Sequence, residues 1–322
     1  MAHALGPAAV VALGGNALAP SGARSTIGDQ FRHTRESLGP IVDLALDGWR
    51  LCVVHGNGPQ VGDELLRNEA ARREASPLPL GVLVAATAGW IGYMIQQSLE
   101  NALRRAGSDR DVATVVTQVE VAADDPALAT PTKFIGHELS PARAAELEAE
   151  GEGEGHVVRA DARGRLRRVV ASPRPLAIHE LRVIRRLVDG DTVVVAVGGG
   201  GVPIAWDDVR SGWEGIEAVV DKDLAAAVLA RDLGAALLLI LTDVDAVYAD
   251  WGRPAQRALR RLTAGEAEAL DRAGALGEGS MAPKVRAAAA FVRETGGRAV
   301  IAELHRGREA VRGEAGTTIV AA

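Results

Sequence analysis

Cysteine is all but missing from this 322-residue chain. Cys52 is the single one, so no intrachain disulfide can form and a secreted, disulfide-stapled fold is excluded. Aromatic residues are 3% of the chain, which leaves Ala, Val, Leu and Ile to build the core. It also leaves few rings for a stacking nucleic-acid surface. Excess positive charge is absent: the formal net charge is −6, which argues against a nucleic-acid partner held mainly by phosphate contacts. No apolar run reads as a membrane span. Residues 76–99 carry no charge, but their densest part, 80–95, is short and holds Gly81, Gly89 and Gly92. That pattern reads as a buried core helix. Ala17-Leu18-Ala19 mimics a signal-peptidase site, yet no Lys or Arg precedes it and Gly14-Gly15-Asn16 breaks the apolar run. No signal peptide is expected, and a cytoplasmic setting is.

Lysine is scarce, for which codon bias is a sufficient cause; the useful question is why three lysines remain. Of 36 basic residues only Lys133, Lys222 and Lys284 are lysines, leaving 33 arginines. Arginine is a planar fork, whereas lysine is a compact point charge on a flexible stem. A phosphoryl group in transit favours the point charge. The plain alternative is three ordinary surface lysines, and their neighbourhoods speak against it.

What the chain does hold is strands alternating with helices. Valine-rich apolar runs at 8–13, 51–54, 112–121, 192–197, 237–241 and 298–302 read as six buried strands. Helical periodicity covers 31–47, 80–105, 178–188, 224–232, 264–273 and 284–295. The alternation predicts an α/β fold with a mainly parallel sheet. Four strands end in glycine-rich or acidic turns, at 14–15, 55–59, 198–201 and 242–245. Open α/β sheets bind ligands at the carboxyl ends of their strands, so these turns are expected to converge on one cleft. Residues 122–175 break the rhythm with short strand-like pieces, an acidic run and a basic run. They read as an inserted flap subdomain within one domain spanning 1–322, the charged runs being solvated faces that neutralise each other, with anion binding by the arginine run at 159–168 as the alternative.

The turns carry the chemistry. Gly14-Gly15-Asn16 allows an anion-binding nest of backbone N–H groups, although a tight turn alone explains a glycine pair. Four consecutive glycines, Gly198 to Gly201, cost backbone entropy, and close approach of backbone to a phosphate explains them. Neither run is a P-loop or a G-x-G-x-x-G fingerprint, which argues against an NAD enzyme. Asp221-Lys222-Asp223 opens a helix, with Asp223 as the expected N-cap, Lys222 beside an anion-binding terminus and Asp221 placed to hold a lysine. Pro283-Lys284 opens another, where a cation is unfavourable unless an anion visits. His55 reads as a hydrogen-bonded turn histidine. No HExxH or Cys/His cluster is present, so no protein-ligated zinc site is expected, and no G-x-S-x-G nucleophile elbow occurs.

In this order, ALGGNAL (12–18), VVHGNGPQVG (53–62), IGYMIQQSL (91–99), VATVVTQV (112–119), PTK (131–133), RRVV-SP (167–173), GGGGVPI (198–204), GIEAVVDKDLA (215–225), LILTDVDAVY (239–248) and GSMAPKV (279–285) resemble the carbamate kinases of the amino acid kinase family. The resemblance covers nearly the whole chain. It implies an open αβα sandwich with a protruding flap, working as a homodimer. It implies reversible phosphoryl transfer between carbamoyl phosphate and ADP, giving ATP and carbamate, with Mg²⁺ carried on the nucleotide phosphates. By position, it implies that Gly14, Gly15, Asn16, Gly56, Asn57, Gly58, Gly198, Gly199, Gly200 and Gly201 line the carbamoyl phosphate site. Lys222 is implied to contact the transferred phosphoryl, Asp221 to orient the lysines, and Lys133 to reach in from the flap. Related kinases carry a lysine where this chain has Leu13, and Lys133 looks like its substitute. Thr242, Asp243, Val244, Tyr248, Met281 and Lys284 are implied for the nucleotide. Such a reaction needs positioning and charge neutralisation rather than a covalent group, and the carbamate oxygen is already anionic.

The chain departs from the family at four places. After PTK the family continues Pro-Ile/Val-Gly-Pro-Phe-Tyr, where this chain has Phe134-Ile135-Gly136-His137-Glu138-Leu139. Thr87-Ala88-Gly89-Trp90 replaces a Ser-Gln-Gly-style run, residues 25–30 differ, and Ala282 replaces a common glycine. Two other readings stay open: a kinase of the same family for another small carboxylate or phosphonate, and a non-catalytic nucleotide sensor. No nucleic-acid or membrane partner is expected.

Overall fold

The first strand, β1 (Ala8–Leu13), is buried along its whole length, and its side chains alternate between two separate cores. A computed structural model describes residues 6–15, 18, 26–150, 157–161, 163–252, 254–276 and 281–322. From β1 the chain runs through α1 (Ile27–Ser37), α2 (Gly39–Leu46), β2 (Arg50–His55), α3 (Gly58–Ala71) and α4 (Leu80–Arg105). Then come β3 (Val112–Thr114), β4 (Gln118–Glu120), α5 (Pro126–Ala129), β5 (Lys133–Ile135), α6 (Pro141–Ala149), β6 (Val158–Ala160), β7 (Leu166–Val170) and β8 (Ala177–Ile178). Next are α7 (Leu181–Asp189), β9 (Val193–Val195), β10 (Val202–Asp207), β11 (Gly212–Gly215), α8 (Lys222–Leu233) and β12 (Leu237–Thr242). The last are β13 (Val247–Ala249), β14 (Arg257–Leu259), β15 (Arg261–Thr263), α9 (Ala264–Arg272), α10 (Met281–Thr295), β16 (Arg298–Glu303), α11 (Gly307–Val311) and β17 (Thr317–Val320).

Eight strands form the main sheet, in the order β15-β17-β16-β12-β1-β2-β9-β3. From β16 to β3 every pairing is parallel, and β17 runs antiparallel to β16. The period of two on a strand sorts its side chains. Val10, Cys52, Leu238 and Ala299 meet Leu229 of α8 and Phe291 of α10 in one core. Val11, Val53, Leu239 and Val300 meet Ile41 of α2 and Ile95 of α4 in the other. Helices therefore cover both faces, and the α/β expectation holds as three layers.

The run 112–121, read as one strand, is two. β3 borders β9 in the main sheet, while β4 joins a second sheet ordered β11-β10-β4-β8. Thr117 makes the break: its hydroxyl donates to the Val115 carbonyl at 2.8 Å and accepts from the Val197 amide at 3.0 Å. The expected helix over 31–47 is also two, α1 and α2, because Pro40 in the first turn of α2 has no N–H to continue a ladder. α3 lies where the sequence shows only a turn; its Gly-Pro opening is a proline in the first turn of a helix. α4 is the uncharged segment with three glycines. A Cβ on Gly92 would overlap the Thr114 methyl, so glycine lets α4 close onto β3. Among the described residues no helix is long and apolar enough to cross a membrane. A third sheet, β5-β7-β6, lies within the segment expected to form a flap.

Candidate active site

β1, β2, β12 and β16 are parallel neighbours, so their carboxyl ends share one edge of the sheet. The turns beyond them, the start of α8 and strands β5 and β7 enclose a cleft of about 550 Å³. Of the residues expected from the sequence, Gly14, Gly15, Gly56, Asn57, Gly58, Lys133, Gly199, Asp221, Lys222, Thr242, Asp243 and Lys284 line it. The expected convergence of the turns is therefore observed. Gly198, Gly200, Gly201, Val244, Tyr248 and Met281 are not among the lining residues. Tyr248 instead donates to an Asp245 carboxylate oxygen at 2.6 Å and packs edge-on to Trp251. Met281 is half-buried against the core. Asn16 lies outside the described residues.

Protein atoms, not open space, surround the glycine run. A Cβ on Gly198 would stand 2.5 Å from His55 Nε2, one on Gly199 would overlap the Asn57 amide, and one on Gly200 would overlap the Val220 carbonyl. Only Gly199 of the four reaches the cleft lining. Asn57 is clamped between this run and α4, where its Nδ2 donates to the Thr87 hydroxyl at 2.9 Å. Val197, just ahead, has φ +54°, a left-handed conformation that costs a β-branched residue energy. The strain sits where the sheet meets the cleft. Gly56 has a different purpose. A Cβ there would lie 3.3 Å from Lys222 Cδ, so glycine leaves room for the lysine stem.

Two aspartates divide the three lysines. Asp221, not Asp223, is the N-cap of α8. Its Oδ1 accepts from the amides of Asp223 at 2.9 Å and Leu224 at 3.4 Å, because Lys222 already has helical geometry at the first position. Its Oδ2 accepts from Lys133 Nζ at 2.8 Å. Asp223, buried in the first turn, accepts from Lys222 Nζ at 2.5 Å and from Lys284 Nζ at 3.2 Å. So Asp221 holds one lysine and Asp223 holds two. Burial works against ionising either carboxylate, but the lysines outweigh it and keep both below the ordinary range. Burial pulls the Lys222 ammonium down; Asp223 opposes that, and Lys284 adds to it. His55 is fully buried with Nδ1 3.0 Å from the Gly56 carbonyl, and burial pushes it down to about 4. It is a neutral turn histidine, as read from the sequence.

Sequence reasoning gave Asp223 only a capping role. Its signal was present, an acid next to one of only three lysines in the chain, but the contact to Lys284 spans 61 positions. Phe134, Glu303 and His305 also line the cleft and were not singled out, as does Arg167, which belongs to the basic run at 159–168 read mainly as a solvated face. The altered segment after Lys133 docks on α3. The Gly136 amide donates to the Gly58 carbonyl at 3.0 Å, and a Cβ on Gly62 would overlap Gly136 Cα. His137 lies 3.2 Å from Asp63. Buried Arg168 pairs with Glu69 at 2.5 Å, and Arg143 joins the same carboxylate at 2.7 Å. α3 thus ties β5, and with it Lys133, to the turn after β2.

The amino acid kinase family model matches residues 7–303. A carbamate kinase of Escherichia coli O6:H1 is 46% identical over 310 residues, 96% of this chain and 98% of the relative. Solved Giardia lamblia carbamate kinase bound to citric acid superposes with a TM-score of 0.92 at 35% identity, covering 98% of this chain and 99% of that one. The same Giardia enzyme bound to AMP-PNP gives 0.89 at 36% identity, covering 98% and 99%.

Proposed function

Because the chain belongs to the amino acid kinase family, and within it to the carbamate kinases, we propose that its cleft performs the transfer with Lys133, Lys222 and Lys284 as its charge carriers. The reaction moves phosphoryl reversibly between carbamoyl phosphate and ADP, giving ATP and carbamate. The observation that carries the site assignment is the convergence of all three lysines of the chain on two aspartates in one cleft. A lysine already matched by a carboxylate is held in place before substrate arrives, and preorganised charge costs no reorganisation during transfer. Lys222 meets the transferred phosphoryl, Lys133 reaches it from the other side, and Asp221 and Asp223 position the ammonium groups. The turns at Gly14-Gly15 and Gly56 to Gly58 take carbamoyl phosphate. Thr242, Asp243 and Lys284 take the nucleotide. The β5-β7-β6 sheet acts as the flap.

Mg²⁺ fits as a passenger of the nucleotide. The buried carboxylates of the cleft are engaged by lysines, which leaves phosphate oxygens as the hard donors this ion prefers. When bound it neutralises charge on the phosphates. The family resemblance supports a homodimer, which sedimentation of the full chain tests, and the lone cysteine is consistent with a cytoplasmic setting.

Purified protein given carbamoyl phosphate, ADP and Mg²⁺ should make ATP. Lys222→Ala and Lys133→Ala should each lose most turnover while keeping the fold, and Lys→Arg at either site should also impair it. Wild-type turnover in either alanine variant removes that lysine from the mechanism.

A further inference from the structure

One cation of the cleft has no assigned task. Arg167 on β7 lines the cleft together with Lys133 and Phe134. Its guanidinium sits 5.6 Å from the centroid of the Phe134 ring and donates through Nη2 to the Gly136 carbonyl at 2.8 Å. Neither partner carries negative charge. Other arginines of the same basic run are matched: Arg165 pairs with Asp161 at 2.7 Å and Arg168 with Glu69 at 2.5 Å. Arg167 makes no ion pair among the described residues. Burial, and after it the neighbouring Arg165, hold its pKa below the ordinary arginine value. Asp161, already paired with Arg165, offsets this only in part. A half-buried cation without an ion pair of its own is costly, and a cleft that admits anions can supply one.

The bonding of Arg167 also says which anion. Gly136, whose carbonyl it holds, donates its own amide to the carbonyl of Gly58, the first residue of α3 just beyond the turn after β2. The nucleotide assignment lies at the end of β12 and the start of α10, on other elements. We propose that Arg167 binds the phosphate of carbamoyl phosphate from the flap side, as a substrate-binding residue beside Lys133. Its planar fork suits two phosphate oxygens, and a charge-assisted pair there is short and directional. This rests on the assignment of the β2 end to carbamoyl phosphate.

The experiment is steady-state ATP formation by the full chain and by Arg167→Gln and Arg167→Lys, varying carbamoyl phosphate and ADP separately. Glutamine keeps a donor for the Gly136 carbonyl and removes the charge. The expected result is a KM for carbamoyl phosphate raised at least about tenfold in Arg167→Gln. Partial recovery is expected in Arg167→Lys, with the KM for ADP within about twofold, the span a lost cation would far exceed. Inorganic phosphate, as a competitive probe, should lose affinity in parallel. A rise in the ADP KM instead places Arg167 on the nucleotide and overturns the proposal. So does an unchanged KM for both substrates, whether kcat falls or holds. A wild-type chain that makes no ATP is a different failure, that of the cleft's assignment.

Discussion

Replacing Asp223 by asparagine keeps the shape of the side chain and removes the one charge that two lysines share. The carboxylate is 4% exposed, and the Lys222 and Lys284 side chains are 12% and 7% exposed. Breaking a buried ion pair by removing one partner costs about 3–5 kcal/mol. The loss has a ceiling, because Lys222 can shed its proton. From its ordinary value of 10.5 down to neutral pH, at about 1.4 kcal/mol per pH unit, that relief caps the penalty near 5 kcal/mol. Melting a chain of this length releases roughly 0.7 kcal/mol/K of entropy, so Tm should fall by about 4–7 °C. Calorimetry reads the shift. Inorganic phosphate should raise the Tm of Asp223→Asn more than that of the wild type, because a dianion restores the missing charge. Adding Lys284→Met should recover part of the loss. An unchanged Tm, or equal phosphate shifts in both proteins, would refute the idea that Asp223 neutralises the lysine pair.

Three further outcomes follow from the same geometry. Gly62→Ala places a methyl on the Gly136 backbone and should lower kcat by displacing the strand that bears Lys133. In a Lys133→Ala background it should have little further effect, and additive losses would show that Gly62 acts elsewhere. Between about pH 6.5 and 4 the unfolded chain binds a proton at His55 that the native chain refuses, so stability falls with pH by roughly 3 kcal/mol from this residue alone. Urea unfolding at neutral and mildly acidic pH should show a smaller loss in His55→Gln, and an equal loss refutes a neutral native imidazole. Burial pushes the Cys52 thiol up to about 12, so a thiol reagent should label it only after unfolding, and rapid native labelling contradicts its place in the sheet.

Much of the molecule was legible because its signals are local. The apolar runs that became β1, β2, β12 and β16 hold their period within six residues each, and a buried parallel strand needs no partner to be recognised. The three lysines stood out against 33 arginines, and the turns at 14–15 and 55–59 marked the cleft edge. Where the reading failed, the deciding contact came from elsewhere in the chain. The strand at 112–121 breaks at Thr117 because Val197, 80 positions away, donates to its hydroxyl. The glycine run reads as a phosphate cradle, yet His55, Asn57 and Val220 occupy the space that side chains there would need.

Composition, strand period and turn chemistry are properties of short segments, and by themselves they determined the α/β class and singled out the cleft's edge and the three lysines that meet there. Which aspartate holds which lysine, and that α3 grips the strand bearing Lys133, only the tertiary structure decided. An ion pair at 3 Å between residues 61 or 88 positions apart leaves no periodic trace in a sequence. It exists only once folding has brought β5, α8 and α10 together at one cleft.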